Sequence, residues 1–142
     1  MSKLNWVALP VWATLSAAAA AQPEAVLEVA VSGIERAEGA ILVAACARAE
    51  FLSHDCKYGG QAPAQLGLVV IKIGGVPDGV YAILVLHDLD GDGVLKRTAF
   101  GLPAEPVGFG NNAPIKWGPP SFDQSAVTVS GRTVAAVTLR NR

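Results

Sequence analysis

The sequence predicts an all-β fold, an antiparallel β-sandwich of about seven strands with one long structured loop. Three observations predict it. Short apolar runs alternate with period two or are apolar on both faces. Turn-forming clusters rich in glycine, proline and aspartate separate most of them. No stretch carries a convincing amphipathic helical pattern or a repeat.

The chain has 142 residues, room for one domain after its N-terminus is set aside. Lys3 precedes an apolar run from Trp6 to Ala20, and Ala19-Ala20-Ala21 leads into Gln22-Pro23. A basic start, a short apolar core and small residues before a break define a secretory signal peptide over residues 1–21. The competing reading is a membrane anchor. The run falls short of the ~20 residues needed to span a bilayer, and no basic cluster follows it. No cysteine closes it, so a lipid anchor is not expected. Residues 22–142 are then the folded part, periplasmic or secreted, with no transmembrane segment after cleavage. Without Lys3 that part holds ten basic and twelve acidic residues, scattered rather than blocked, which argues against nucleic acid as a partner.

The first strand is Val26 to Ser32, with Leu27, Val29 and Val31 on one face. Gly33 to Gly39 reads as a solvated hairpin turn. Ala40 to Ala47 is apolar on both faces and short, so it reads as a central strand. Arg48 to Pro63 is expected to be irregular, with a helical turn near Glu50 to Ser53. Cys46 and Cys56 fall here. In an oxidising compartment they would form a disulfide; the alternative is a buried strand thiol and a loop thiol.

Gln65 to Ile73 is the third strand, with Val69, Ile71 and Ile73 on one face. Pro77-Asp78-Gly79 supplies a tight turn. Val80 to His87 follows, buried on both faces. Tyr81, Ile83, Val85 and His87 line one side and Val80, Ala82, Leu84 and Leu86 the other. At the C-terminal end, Ser125 to Val129 and Thr133 to Leu139 are strands joined by a hairpin turn at Ser130-Gly131-Arg132. Between Asp88 and Gln124 lies a link too long to be structureless in a compact domain. It is expected to carry a short strand near Val107 to Gly110. The rest should pack on the sandwich through Phe100, Leu102, Phe109, Trp117 and Phe122.

The chemistry-bearing residues concentrate in that link. Asp88, Asp90, Asp92 and Gly93 spell D-x-D-x-D-G, the start of a calcium loop in which alternate carboxylates converge on a hard cation. An EF-hand is rejected: its ninth and twelfth positions are Lys96 and Ala99, and a strand precedes it. A different calcium loop would need further oxygen donors, such as Asn111, Asn112 or Asp123. The alternative is a turn whose aspartates cap their own backbone. Oxygen ligands favour calcium over zinc.

His87 beside Asp88 invites a catalytic reading, but strand neighbours point to opposite faces. His54-Asp55 offers a second such pair. There is no H-E-x-x-H spacing, and Ser121 lacks a nucleophile elbow. The glycines, prolines and aromatics further along favour one defined loop conformation. They make His87, Phe109, Asn111, Asn112, Trp117 and Phe122 a candidate binding surface.

A longer pattern runs through the same residues. It comprises Gly79-Val80-Tyr81-Ala82, His87-Asp88, Asp90-Gly91-Asp92-Gly93, Phe100-Gly101-Leu102-Pro103, Glu105, Gly108-Phe109, Asn111-Asn112-Ala113 and Gly118-Pro119-Pro120-Ser121-Phe122. Together with Gly33 and the run from Gly39 to Ala45, it resembles the DUF2141 family of exported bacterial proteins. More distantly, the strand and Pro-Asp-Gly pattern is similar to transthyretin-like and carboxypeptidase-regulatory-like sandwiches, and the expected architecture is an Ig-like or transthyretin-like sandwich. The resemblance implies an exported, compact β-domain and carries over no activity. The cysteines stand outside the shared pattern, and within the acidic run Asp92 reads as a feature of this chain rather than of the family.

The expectation is a non-catalytic binding or accessory module using residues 88–122, with calcium ordering the acidic loop. Its partner would be an envelope protein, a glycan or a small ligand. The alternatives are a small metal- or His/Asp-dependent hydrolase centred on His87 and the Asp88–Asp92 loop, and a structural or oligomerising domain.

Overall fold

A computed structural model describes residues 10–14, 25–53, 55–95, 97 and 103–140. Most of the leader, His54, Lys96, Ala99, Phe100 and Leu102 lie outside the described residues. Eight strands run in the order β1 (Val26–Ile34), β2 (Ala40–Cys46), β3 (Tyr58–Pro63), β4 (Gly67–Gly74), β5 (Gly79–Asp88), β6 (Val107–Phe109), β7 (Ala126–Val129) and β8 (Arg132–Thr138). A four-residue helix α1 (Phe122–Ser125) precedes β7, and 3-10 turns occupy Arg48–Glu50 and Gly110–Asn112.

The strands form a two-sheet sandwich. One sheet has the order β4-β1-β8. The other has the order β3-β2-β5-β6, with β7 also on β5. β6 and β7 share one edge of β5, pairing with Leu84–Leu86 and with Gly79–Ala82 respectively. The pairing is antiparallel except between β1 and β8, which run parallel in register from Val26↔Arg132 to Ser32↔Thr138.

Three expected features are corrected here. The turns 33–39 and 130–132 do not close hairpins. β1 and β2 lie in different sheets, as do β7 and β8, so both turns arch across the sandwich. Tyr58 to Pro63 is not irregular but an edge strand on β2, from Ala45↔Tyr58 to Ala40↔Pro63. Proline is tolerated there because an edge strand need not donate on its outer side.

Between the sheets the period-two faces meet as predicted. Leu27, Val29 and Val31 pack with Ile41, Val43, Val69, Ile71, Ile73, Tyr81, Ile83 and Val85 in one buried cluster. The other face of β5 is covered by the long link. Leu84 and Leu86 pack against Val107, Phe109, Ala113, Leu95 and Ile115. The strand expected near Val107 to Gly110 is β6, and β5 is clothed on both faces except at Val80, which is 53% exposed. Cys46 and Cys56 are disulfide-bonded, which ties the end of β2 to the segment entering β3. Among the described residues no helix is long and apolar enough to cross a membrane.

Candidate functional site

The site residues gather where β5 ends. His87 and Asp88 are the last residues of the strand, and both are buried. The His87 amide donates to the Pro106 carbonyl (2.9 Å), drawing the returning chain alongside. Its Nε2 lies 2.7 Å from the Glu38 carbonyl, which fastens the β1–β2 arch to the same point. A carbonyl oxygen can only accept, so Nε2 carries the proton. Gly39 completes the joint. It sits at φ +72°, and a Cβ there would stand 2.0 Å from the Asp88 carbonyl oxygen, so only glycine lets the arch lie on the strand end.

The acidic loop is built around one carboxylate. Asp88 Oδ1 accepts from the Gly91 amide (3.1 Å) and Oδ2 from the Gly93 amide (2.7 Å). Asp92 turns back to accept from the Val94 amide (2.9 Å), and Asp90 accepts a longer bond from the Asp92 amide (3.4 Å). The turn therefore folds by aspartates capping nearby backbone. A different trio of acids converges. Carboxylate oxygens of Asp88, Asp90 and Glu105 all lie within 4.8 Å of one another. Glu105 Oε1 accepts from the Leu89 amide (3.1 Å), and the residue is buried. Asp92 is outside this trio, and Glu105 enters it from the returning chain. A charged residue bracketed by Pro103 and Pro106 in an otherwise apolar stretch is the sequence signal for Glu105.

The remote donors are engaged elsewhere. Asn111 donates from Nδ2 to the carbonyls of Gln124 (3.2 Å) and Ala126 (2.7 Å). Asn112 Oδ1 accepts from the Thr138 amide (2.8 Å). Both sit at positive φ, 58° and 50°, a region asparagine tolerates better than most residues. They staple the 3-10 turn to β7 and β8. Asp123 pairs with Arg48. Ser121 caps α1, accepting from the Gln124 amide (3.2 Å) while Gln124 Oε1 accepts from the Ser121 amide (2.9 Å).

The candidate surface residues do not form one patch. Phe109 is buried beneath the link. Phe122 packs edge-on against Phe51, with ring centroids 5.8 Å apart, and Arg48 lies over its ring. Trp117 is not the expected anchor: it is 102% exposed on its turn, and it is Ile115 that packs on the cluster of Val107, Phe109 and Ala113. Trp117 does line a groove of about 380 Å3 on the outer face of the β3-β2-β5-β6 sheet. The half-buried Leu42, Leu84 and Leu86 supply apolar floor, and Leu52, Ile115 and Pro119 are further walls.

Both oxygens of Asp88 accept backbone amides, and the one ring bond of His87 among the described residues goes to a backbone carbonyl, so the two side chains do not form a dyad. Fold and site thus define a two-sheet β-sandwich whose long link is stapled over one face, with an acidic joint at the end of β5. Residues 29–137 match the family model described as an uncharacterized protein conserved in bacteria (DUF2141), and the chain belongs to that family. Comparison with curated proteins and with solved structures gives no match.

Proposed function

We propose that the protein is an exported, non-catalytic binding module of the bacterial envelope, and that the groove beneath Trp117 holds its ligand. The observation that carries this reading is the fully exposed indole beside an apolar floor. An exposed tryptophan held between a turn and a proline pair has little structural task, whereas its flat face suits stacking on a sugar ring or an apolar plane. The volume of about 380 Å3 fits a small ligand or one unit of a glycan. Export is supported by the leader pattern of residues 1–21 and by the Cys46–Cys56 bond, which suits an oxidising compartment.

Cleavage after Ala21 removes Trp6 and Trp12 and leaves Trp117 as the sole tryptophan. Its fluorescence in the processed protein therefore reports the groove alone. N-phenylnaphthylamine should quench it by energy transfer, and Trp117→Ala and Leu52→Gln should weaken dye binding without lowering the melting temperature. Unchanged dye binding in both variants would sink the reading. N-terminal sequencing of the protein recovered from the periplasm of a Gram-negative host should begin at Gln22; an uncleaved product overturns export by this leader.

A second reading attaches to the acidic joint, because three carboxylates approach one another there. An all-oxygen set of this kind suits calcium. Calcium should raise the melting temperature of the wild type and not of an Asp90→Asn/Glu105→Gln variant. Equal behaviour of the two proteins refutes it.

A further inference from the structure

A second cavity, of about 480 Å3, opens at the end of the sandwich between the β1–β2 arch and the Pro103–Val107 segment. Its lining differs in kind from that of the groove. Arg36, Arg140, Glu35, Glu105 and His87 reach it, alongside apolar wall from Val107 and Ile115. Three observations give it a chemistry.

The first is His87. Its Nε2–H is spent on the Glu38 carbonyl, so the neutral ring keeps a lone pair on Nδ1. The residue is only 1% exposed, and Nδ1 bonds to no described residue. Yet among the described residues no sealed side-chain nitrogen or oxygen lacks a partner. Nδ1 is therefore not sealed; it opens onto the cavity that the ring lines, as a fixed acceptor.

The second is the pair of arginines. Arg36 makes no ion pair with a described residue, and the Arg140 guanidinium has among the described residues only a long bond to the Asn112 carbonyl (3.4 Å). Guanidinium groups with spare donors on a concave wall are suited to a carboxylate, which they bind in a planar fork.

The third is the charge balance. Two arginines share the lining with Glu35 and Glu105, and Glu105 already accepts from the Leu89 amide. Such a wall accommodates one negative charge better than a polyanion.

We propose that this cavity binds a small monocarboxylic acid with a hydrogen-bond donor on the neighbouring carbon, a hydroxy acid or an amino acid. Arg36 and Arg140 take the carboxylate, His87 Nδ1 accepts from the hydroxyl or amine, and Val107 and Ile115 meet the apolar remainder. This proposal does not rest on the Trp117 groove, although the two cavities share Pro103, Val107 and Ile115 as wall.

The test is calorimetry on the processed protein with three acids of one shape: leucine, leucic acid and isocaproic acid, the last lacking the donor. Leucine, leucic acid or both should bind at least ~10-fold more tightly than isocaproic acid. The preferred one tells whether amine or hydroxyl meets Nδ1. An Arg36→Gln/Arg140→Gln double variant changes two exposed residues and should weaken binding ~100-fold at an unchanged melting temperature. Trp117→Ala should leave it intact. In the wild type, the nitrogen resonance of His87 Nδ1 should shift on saturation. Equal affinity for the three acids overturns the role of Nδ1. Equal affinity of wild type and double variant, or no heat from any acid at ~10 mM, overturns the site.

Discussion

Replacing Asp88 by asparagine tests the joint most directly. The aspartate is 2% exposed and accepts two backbone amides, at 3.1 Å from Gly91 and 2.7 Å from Gly93. Asparagine keeps the shape but offers one acceptor oxygen. Its amide group would face the other backbone N–H, donor against donor. One charge-assisted bond is lost and the other becomes neutral. With hydrogen bonds to ionised groups contributing about 1.5–3 kcal/mol and neutral ones about 1, the net loss is about 2–5 kcal/mol. A folded part of roughly 115 residues unfolds with an entropy near 0.24 kcal/mol/K, so the melting temperature should fall by about 8–20 °C.

Asp92→Asn is the control. Asp92 is exposed and accepts from the neighbouring Val94 amide (2.9 Å), so its loss should cost under ~1 kcal/mol. Both melts are followed by circular dichroism with a chelator present, so that no cation contributes. If the two variants fall equally, Asp88 does not organise the loop.

The other predictions concern the frame. Cys46→Ala/Cys56→Ala opens a loop spanning a separation of 10 residues and should cost about 3 kcal/mol in denaturant titration; a loss below ~1 would show that the bond does not restrain the unfolded chain. Gly39→Ala meets the Asp88 carbonyl, whereas Gly75→Ala, also at positive φ, meets nothing within 4 Å. The first should cost at least ~3 kcal/mol and the second about 1, and equal losses would refute the packing of the arch on β5. Burial, with Tyr58 adding, raises the Tyr81 phenol above its ordinary 10.0, and the hydroxyl donates to the Pro77 carbonyl (2.9 Å). Its contribution is complete below the ordinary value and is lost as pH rises through the folded one. Tyr81→Phe should therefore cost about 1 kcal/mol at neutral pH and lose part of the alkaline fall in stability; identical alkaline slopes would refute this.

Much of the fold was legible because burial imposes a period. Leu27/Val29/Val31, Val69/Ile71/Ile73 and Tyr81/Ile83/Val85 each read as one face, and each is that face in the core. β6 was legible because Val107 and Phe109 bracket a glycine in a link too long to be bare. β3 was not, because Gly59, Gly60 and Pro63 are poor strand formers, and its place comes from pairing with β2. The two arches read as hairpins because a turn of given length serves either use. The choice is made by distant partners, above all by β8 joining β1 in parallel. The same limit applies to the site. The sequence placed Asp88, Asp90 and Asp92 together by spacing. The structure substitutes Glu105 for Asp92, because the trio is completed by a chain that returns past His87.

The residues most conspicuous as chemistry in the sequence are largely consumed by architecture. Asp88 holds its own turn, Asn111 and Asn112 staple the link, Ser121 caps a helix, and Phe122 packs on Phe51. The groups these duties leave over, and on which the proposals above rest, include the indole of Trp117, the guanidinium groups of Arg36 and Arg140, and the second nitrogen of His87. The two cavities they face share Pro103, Val107 and Ile115 as wall, and the Pro106 carbonyl beside them is fixed by the His87 amide at the acidic joint. A change at Asp88 should therefore reach both cavities through that segment. A change at Trp117 should touch the groove alone. Dye binding and acid binding measured side by side in Asp88→Asn and Trp117→Ala separate the frame from the surface it carries, and an Asp88 variant that melts early yet binds both ligands as the wild type does would break the link between them.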